Sequence, residues 1–242
     1  MSKEKKKYVC SDCGQESAKW IGKCPACGQW NTFKEITVYN TNRSDAVKNL
    51  HGLTDKRNEY AVQKLKDISA EKEPRLNMQD GELNRVLGGG LVKGSLVLLG
   101  GEPGIGKSTL TLQTILNIND VRILYVSGEE SSQQLKMRAE RLATHELAEK
   151  NNISILCENS LENIFNAIKE TKPELVIIDS IQTIATDRID ASPGTISQVR
   201  ECASLLLRYA KSSHVPVILI GHITKDGAIA GPKILEHIVD TV

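Results

Sequence analysis

Short apolar runs recur through the second two-thirds of the chain, and the stretches between them carry apolar residues at helical spacing. The runs are "SLVLLG" (95–100), "RILYVSG" (122–128), "ISIL" (153–156), "ELVIID" (174–179) and "PVILIG" (216–221). They are rich in Leu, Ile and Val and lack polar alternation, as strands buried on both faces do. Helices are predicted between them. One runs from Lys107 to Ile118. A second covers 131–149, with Leu135, Ala139, Leu142 and Leu147 on one face. A third covers 161–171, capped by Ser160 and lined by Leu161, Ile164, Phe165 and Ile168. A fourth runs from Ile196 to Tyr209. Strand–helix alternation at this spacing predicts an α/β fold, a mainly parallel sheet with helices on both faces.

The pattern is absent upstream, so the chain divides into three parts. Residues 1–35 form a Cys-, Trp- and Gly-rich unit, residues 36–75 a polar linker ending near Pro74, and residues 76–242 the α/β core. The 242 residues are 40% apolar and 25% charged, ordinary for a soluble globular protein. With a net charge of +1 there is no bulk electrostatic case for nucleic acid, so any such surface must be local. The opening "SKEKKK" is followed by no apolar h-region and reads as a solvated tail. No run reaches the length of a membrane span. The expected location is the cytoplasm, without a membrane partner.

The strongest chemical signal is "GEPGIGKST", which follows one predicted strand and opens a helix. Gly101, Gly104 and Gly106 let the backbone wrap closely. The loop, with Glu102, Pro103 and Ile105 between its glycines, then forms an anion nest of backbone amides at a helix N-terminus. Lys107 is expected to reach the β- and γ-phosphates of ATP, Ser108 to ligate Mg²⁺, and Thr109 to lie toward the α-phosphate. In "LVIID" the strand ends in Asp179, at the carboxyl edge where α/β sheets bind ligands, and Asp179 is expected to hold Mg²⁺ through water. In "YVSGEES", Glu129 is the expected base that orients the attacking water, and Glu130 assists it or caps the next helix. The last strand ends at His222, placed to sense the γ-phosphate or simply to share the crowd at the site. The Gly-rich segment after it holds Lys225 and Lys233, which reach phosphate of nucleotide or DNA, or solvent.

Near the N-terminus, Cys10, Cys13, Cys24 and Cys27 are spaced C-x₂-C-x₁₀-C-x₂-C. In a cytosolic chain such paired cysteines favour structural Zn²⁺ over a disulfide. Gly14 and Gly28 follow each pair, where tight turns leave amides to bond sulfur. Lys19, Trp20, Lys23 and Trp30 offer charge and stacking to DNA; alternatively the tryptophans cover the zinc site. The other cysteines, Cys157 and Cys202, read as small core residues.

The order of the Cys pairs, "LNRVLGGGLVKGS", "GGEPGIGKSTL", "YVSGEES", "IIDSIQT", "PGTISQVREC" and "GHITKDGAIAGPKILEHIVDTV" resembles the RadA (Sms) family of bacterial DNA-repair ATPases over essentially the whole chain. The resemblance implies a RecA-like P-loop core with an N-terminal four-cysteine zinc finger. It implies ATP-driven, helicase-like work on single-stranded DNA and recombination intermediates, with branch migration as the outcome. It also implies a hexameric ring and the recombinase RecA as a partner. By the same resemblance Glu129 is the catalytic glutamate, His222 the γ-phosphate switch, and Lys225 a coupling residue. Members of the family continue with a K-N-R-F-G motif and a domain shaped like the Lon protease; this chain stops at "IVDTV" and reads as a truncated piece of such a protein. A second class of function is a nucleotide-switched module that binds DNA or a partner with little turnover. A kinase is the weaker third reading, because nothing suggests an arginine-bearing lid.

Overall fold

The computed structural model describes residues 5–10, 14–38, 64, 74–142, 152–222 and 235–242. Five strands make a parallel sheet: β6 (Leu96–Gly101), β7 (Ile123–Ser127), β8 (Ile153–Cys157), β9 (Leu175–Asp179) and β10 (Val217–His222), in the order β6-β10-β9-β7-β8. Each lies on a run expected to be a strand.

The alternation of side chains along these strands builds two cores. Leu96, Leu98, Leu124, Val126, Val176, Ile178, Val217 and Leu219 line one face. They pack on helices α4 (Leu161–Thr171) and α5 (Ile196–Ser213). Val97, Ile123, Tyr125, Leu175, Ile177, Ile218 and Ile220 line the other face. Helices α2 (Lys107–Leu116) and α3 (Ser132–Leu142) cover that one.

Local signals set the helix ends. Ser160 caps α4 and accepts from the Asn163 amide at 3.4 Å. Helix α5 runs four residues past Tyr209 because no Gly or Pro interrupts "AKSS"; it stops at His214, whose φ of 56° is left-handed. In α3, Leu135 and Ala139 are buried as the apolar face requires, whereas Leu147 lies outside the described residues.

Two features differ from the sequence pattern. Strand β8 is the sheet edge and only half-covered, so Cys157 is exposed rather than a core residue. Cys202, on α5, is fully buried as expected, and burial pushes its thiol up to about 12. Ahead of the sheet, β4 (Arg75–Leu76) and β5 (Leu91–Val92) pair antiparallel around a short helix α1 (Gly81–Val86), capped by Asp80, which accepts from the Leu83 amide at 2.7 Å. Its six residues are too few for a visible helical period.

At the N-terminus, β1 (Lys5–Cys10) pairs antiparallel with β2 (Glu16–Ser17) and with β3 (Phe33–Val38). Much of the expected linker, residues 39–63 and 65–73, falls outside the described residues.

Candidate nucleotide site and metal centre

The parallel register brings the carboxyl ends of the strands into one row. Gly101 of β6 pairs with His222 of β10, Asp179 of β9 with Ile220 of β10 and Ser127 of β7, and Ser127 with Cys157 of β8. Strand β10 therefore stands between the strand that enters the glycine loop and the strand that ends in Asp179.

The glycine loop turns on Gly104 (φ 81°) and Gly106 (φ 102°). Both conformations favour glycine, and a Cβ at either position would meet only open space, so the constraint is backbone shape rather than crowding. Gly106 caps α2 without a side-chain hydrogen bond. The amides of the first turn are thus left without a side-chain cap, the arrangement that suits an anion. Glu102, Pro103 and Ile105 are exposed on the loop, and Ser108 and Thr109 sit half-buried in the first turn of α2.

Lys107 is buried, and its Nζ donates to the carbonyls of Gly101 and Glu102, both at 2.8 Å. Burial lowers its pKa, opposed by the nearby carboxylates of Asp179 and Glu129. The three residues therefore share one electrostatic environment. Glu129 Oε1 accepts from Ser180 Oγ at 2.7 Å and lies 3.4 Å from His222 Nε2. Glu130 points elsewhere, into an ion pair with Arg138 of α3, and its amide donates to Ser127 Oγ at 3.0 Å. The two adjacent glutamates thus separate, with Glu129 facing the row of strand ends and Glu130 tied to a helix.

Two hydroxyls absent from the motif reading belong to this cluster. Tyr125 Oη donates to Asp179 Oδ2 at 2.6 Å, and both side chains are buried. Burial, with the Asp179 carboxylate beside it, pushes the phenol well above its usual range, so it stays protonated and donates. Ser180 is the second. The available signal was a tyrosine in a strand expected to be covered on both faces, since a buried phenol needs a partner. Lys225 and Lys233 lie outside the described residues.

In the N-terminal unit, the thiols of Cys10, Cys24 and Cys27 lie within 4.8 Å of one another, and Cys10 Sγ is 3.7 Å from Cys27 Sγ. A tetrahedral site with bonds of about 2.3 Å has sulfur–sulfur edges of about 3.8 Å, so this donor set fits Zn²⁺. Cys13 lies outside the described residues. The two knuckles repeat each other: Gly14 (φ 73°) and Gly28 (φ 75°) donate to the carbonyls of Cys10 and Cys24, both at 2.9 Å. These two amides close the turns on carbonyl oxygen. The tryptophans do not bury themselves over the cysteines. Trp20 and Trp30 are 54% and 67% exposed, with Lys23 Nζ 5.6 Å from the Trp30 ring centre. Phe33 fills the interior beside Cys10 and Cys24 instead.

A family model described as an AAA domain matches residues 61–228. The chain belongs to this AAA-domain family. A second model, described as a rubredoxin metal binding domain, matches residues 8–35. Over its full length this AAA-domain chain is 46% identical to the DNA repair protein RadA of Bacillus subtilis (strain 168), covering 52% of that relative. It is 44% identical to the DNA repair protein RadA of Escherichia coli (strain K12), over 98% of the chain and 51% of the relative. The chain spans about half the length of these curated relatives. The resemblance that the motifs carry thus holds as sequence identity along the chain.

Solved structures share the fold. A DnaB-like replicative helicase matches with a TM-score of 0.54 at 19% identity, over 64% of this chain and 45% of that one. A further ATPase domain matches with a TM-score of 0.58 at 18% identity, over 69% and 74%. The fold class is thereby the expected RecA-like P-loop core, a parallel sheet flanked by helices, with an N-terminal zinc ribbon.

Proposed function

We propose that the chain is the ATP-driven part of a DNA-repair motor, a DNA-dependent ATPase that acts on single-stranded DNA and promotes branch migration of recombination intermediates. The observation that carries this reading is the meeting of Lys107, Asp179, Glu129 and His222 at the ends of adjacent strands beside a phosphate-shaped loop. The DNA repair proteins that the chain resembles supply the repair context.

In this reading the loop from Gly101 to Thr109 binds the phosphates through its backbone N–H groups, Pro103 shaping the turn without a donor, and Lys107 leaves the loop carbonyls to bind the β- and γ-phosphates. Mg²⁺, held by Ser108 and through water by Asp179, would neutralise charge on those phosphates. Glu129 orients and deprotonates the attacking water. His222, within reach of Glu129 and at the start of the segment bearing Lys225 and Lys233, transmits nucleotide state to DNA. The organisation is a zinc ribbon over about residues 1–35, a linker over 36–75 and the ATPase core over 76–242. The acting form is a hexameric ring in the cytoplasm with recombinase RecA as a partner, since P-loop motors commonly complete their sites with a neighbour's basic residue.

The test is phosphate release from ATP with and without single-stranded DNA, at low and moderate salt. The expected result is stimulation by DNA that fades with salt, and loss of release in Lys107→Ala. The exposed indoles of the ribbon favour a second reading, a nucleotide-switched module that docks DNA or a partner. Tight ATP binding with no DNA-stimulated turnover would select it.

A further inference from the structure

Asp179 is held in place by a neutral hydroxyl. The register pairs Tyr125 of β7 with Ile177 of β9, so Asp179, two residues further along β9, is its diagonal neighbour on the same face. This is the face covered by α2, the helix that Lys107 opens. A phenol is long enough to span the diagonal, and Tyr125 Oη reaches Asp179 Oδ2 at 2.6 Å. Tyr125 is fully enclosed and Asp179 nearly so, so water does not substitute readily for this bond. Among the described residues, no side chain other than Tyr125 hydrogen-bonds Asp179.

The choice of donor matters. A lysine or arginine in this place would cancel the carboxylate's charge and so compete with a cation. A phenol fixes the carboxylate's orientation, commits one oxygen and leaves the negative charge in place. Groups that hydrogen-bond a metal's direct ligands commonly change metal affinity by about 10- to 100-fold; because Asp179 reaches the cation through water, the effect of Tyr125 falls toward the lower end.

We propose that Tyr125 is a positioning residue that orients Asp179 for the divalent cation accompanying the nucleotide. The proposal rests on the reading of Asp179 as the residue that holds that cation.

The experiment is a Mg²⁺ titration of the binding of a fluorescent ATP analogue to the whole chain, comparing wild type with Tyr125→Phe. The substitution keeps the ring and removes only the hydroxyl. The expected result is a raised Mg²⁺ midpoint, by up to about 10-fold, with analogue binding in the absence of Mg²⁺ unchanged and the melting temperature close to wild type. In an Asp179→Asn background, Tyr125→Phe should shift the midpoint no further, because its effect passes through Asp179. An unchanged midpoint overturns the proposal. So does an equal loss of binding with and without Mg²⁺, or a Tyr125→Phe chain that fails to fold, since either makes the hydroxyl structural. If wild type itself shows no Mg²⁺-dependent binding, the nucleotide reading of the site falls instead.

Discussion

A Cβ at Gly128 would stand 2.7 Å from both the Thr183 Cβ and the Asn159 side-chain amide, closer than real Cβ contacts come. Thr183 Oγ1 donates to the Ser180 carbonyl at 2.8 Å, and Ser180 Oγ in turn holds Glu129. Pushing Thr183 aside therefore disturbs the support of Glu129. Gly128→Ala is expected to cost about 1–3 kcal/mol of stability and to lower turnover more than nucleotide affinity. A thermal melt and parallel binding and phosphate-release assays check this; an unchanged melt would show that the neighbours yield freely. At this scale the motif residues were legible, because a charged or polar group that ends an apolar strand stands out in sequence. Tyr125 and Ser180 were not, because their partners are set by which strands are neighbours and in what register. "RILYV" alone says nothing of that.

Among elements, the ribbon depends most on something outside its own apolar content. Among the described residues its buried apolar cluster is Cys10, Cys24 and Phe33, with Tyr8 packed against them, so two of the three are thiols. A core this small cannot offset the entropy of ordering β1, β2 and β3. The metal is expected to supply the difference. Chelation should then abolish amide protection at Cys10 and Cys24, whose N–H groups donate to the carbonyls of Gln15 and Gln29 at 3.0 and 2.8 Å. The melt of the parallel sheet should be unchanged. Protection that survives chelation would show a ribbon that folds unaided. The spacing of the cysteines made the donor set readable. It could not show that the indoles stay largely exposed, because a small unit has too little interior to hold them. The same limit applies at β8, where a run that looks covered on both faces lies at the sheet edge and exposes Cys157.

For the whole molecule, strand order decides how the parts of the site act together. Placing β10 between β6 and β9 puts His222 beside Gly101 and within 3.4 Å of Glu129 Oε1. The strand that ends in His222 leads on to the segment carrying Lys225 and Lys233. The α/β class followed from the alternation of runs. The order of strands did not, since parallel connections of similar length permit several orders. The central claim is that these strand ends form one ATP-hydrolysing site with Glu129 as its base. Single-turnover phosphate release from Mg²⁺ and ATP, measured in wild type and Glu129→Gln, tests it most directly. Both chains should bind nucleotide with similar affinity, and release should slow about 100-fold or more in the variant. Release at the wild-type rate would contradict it.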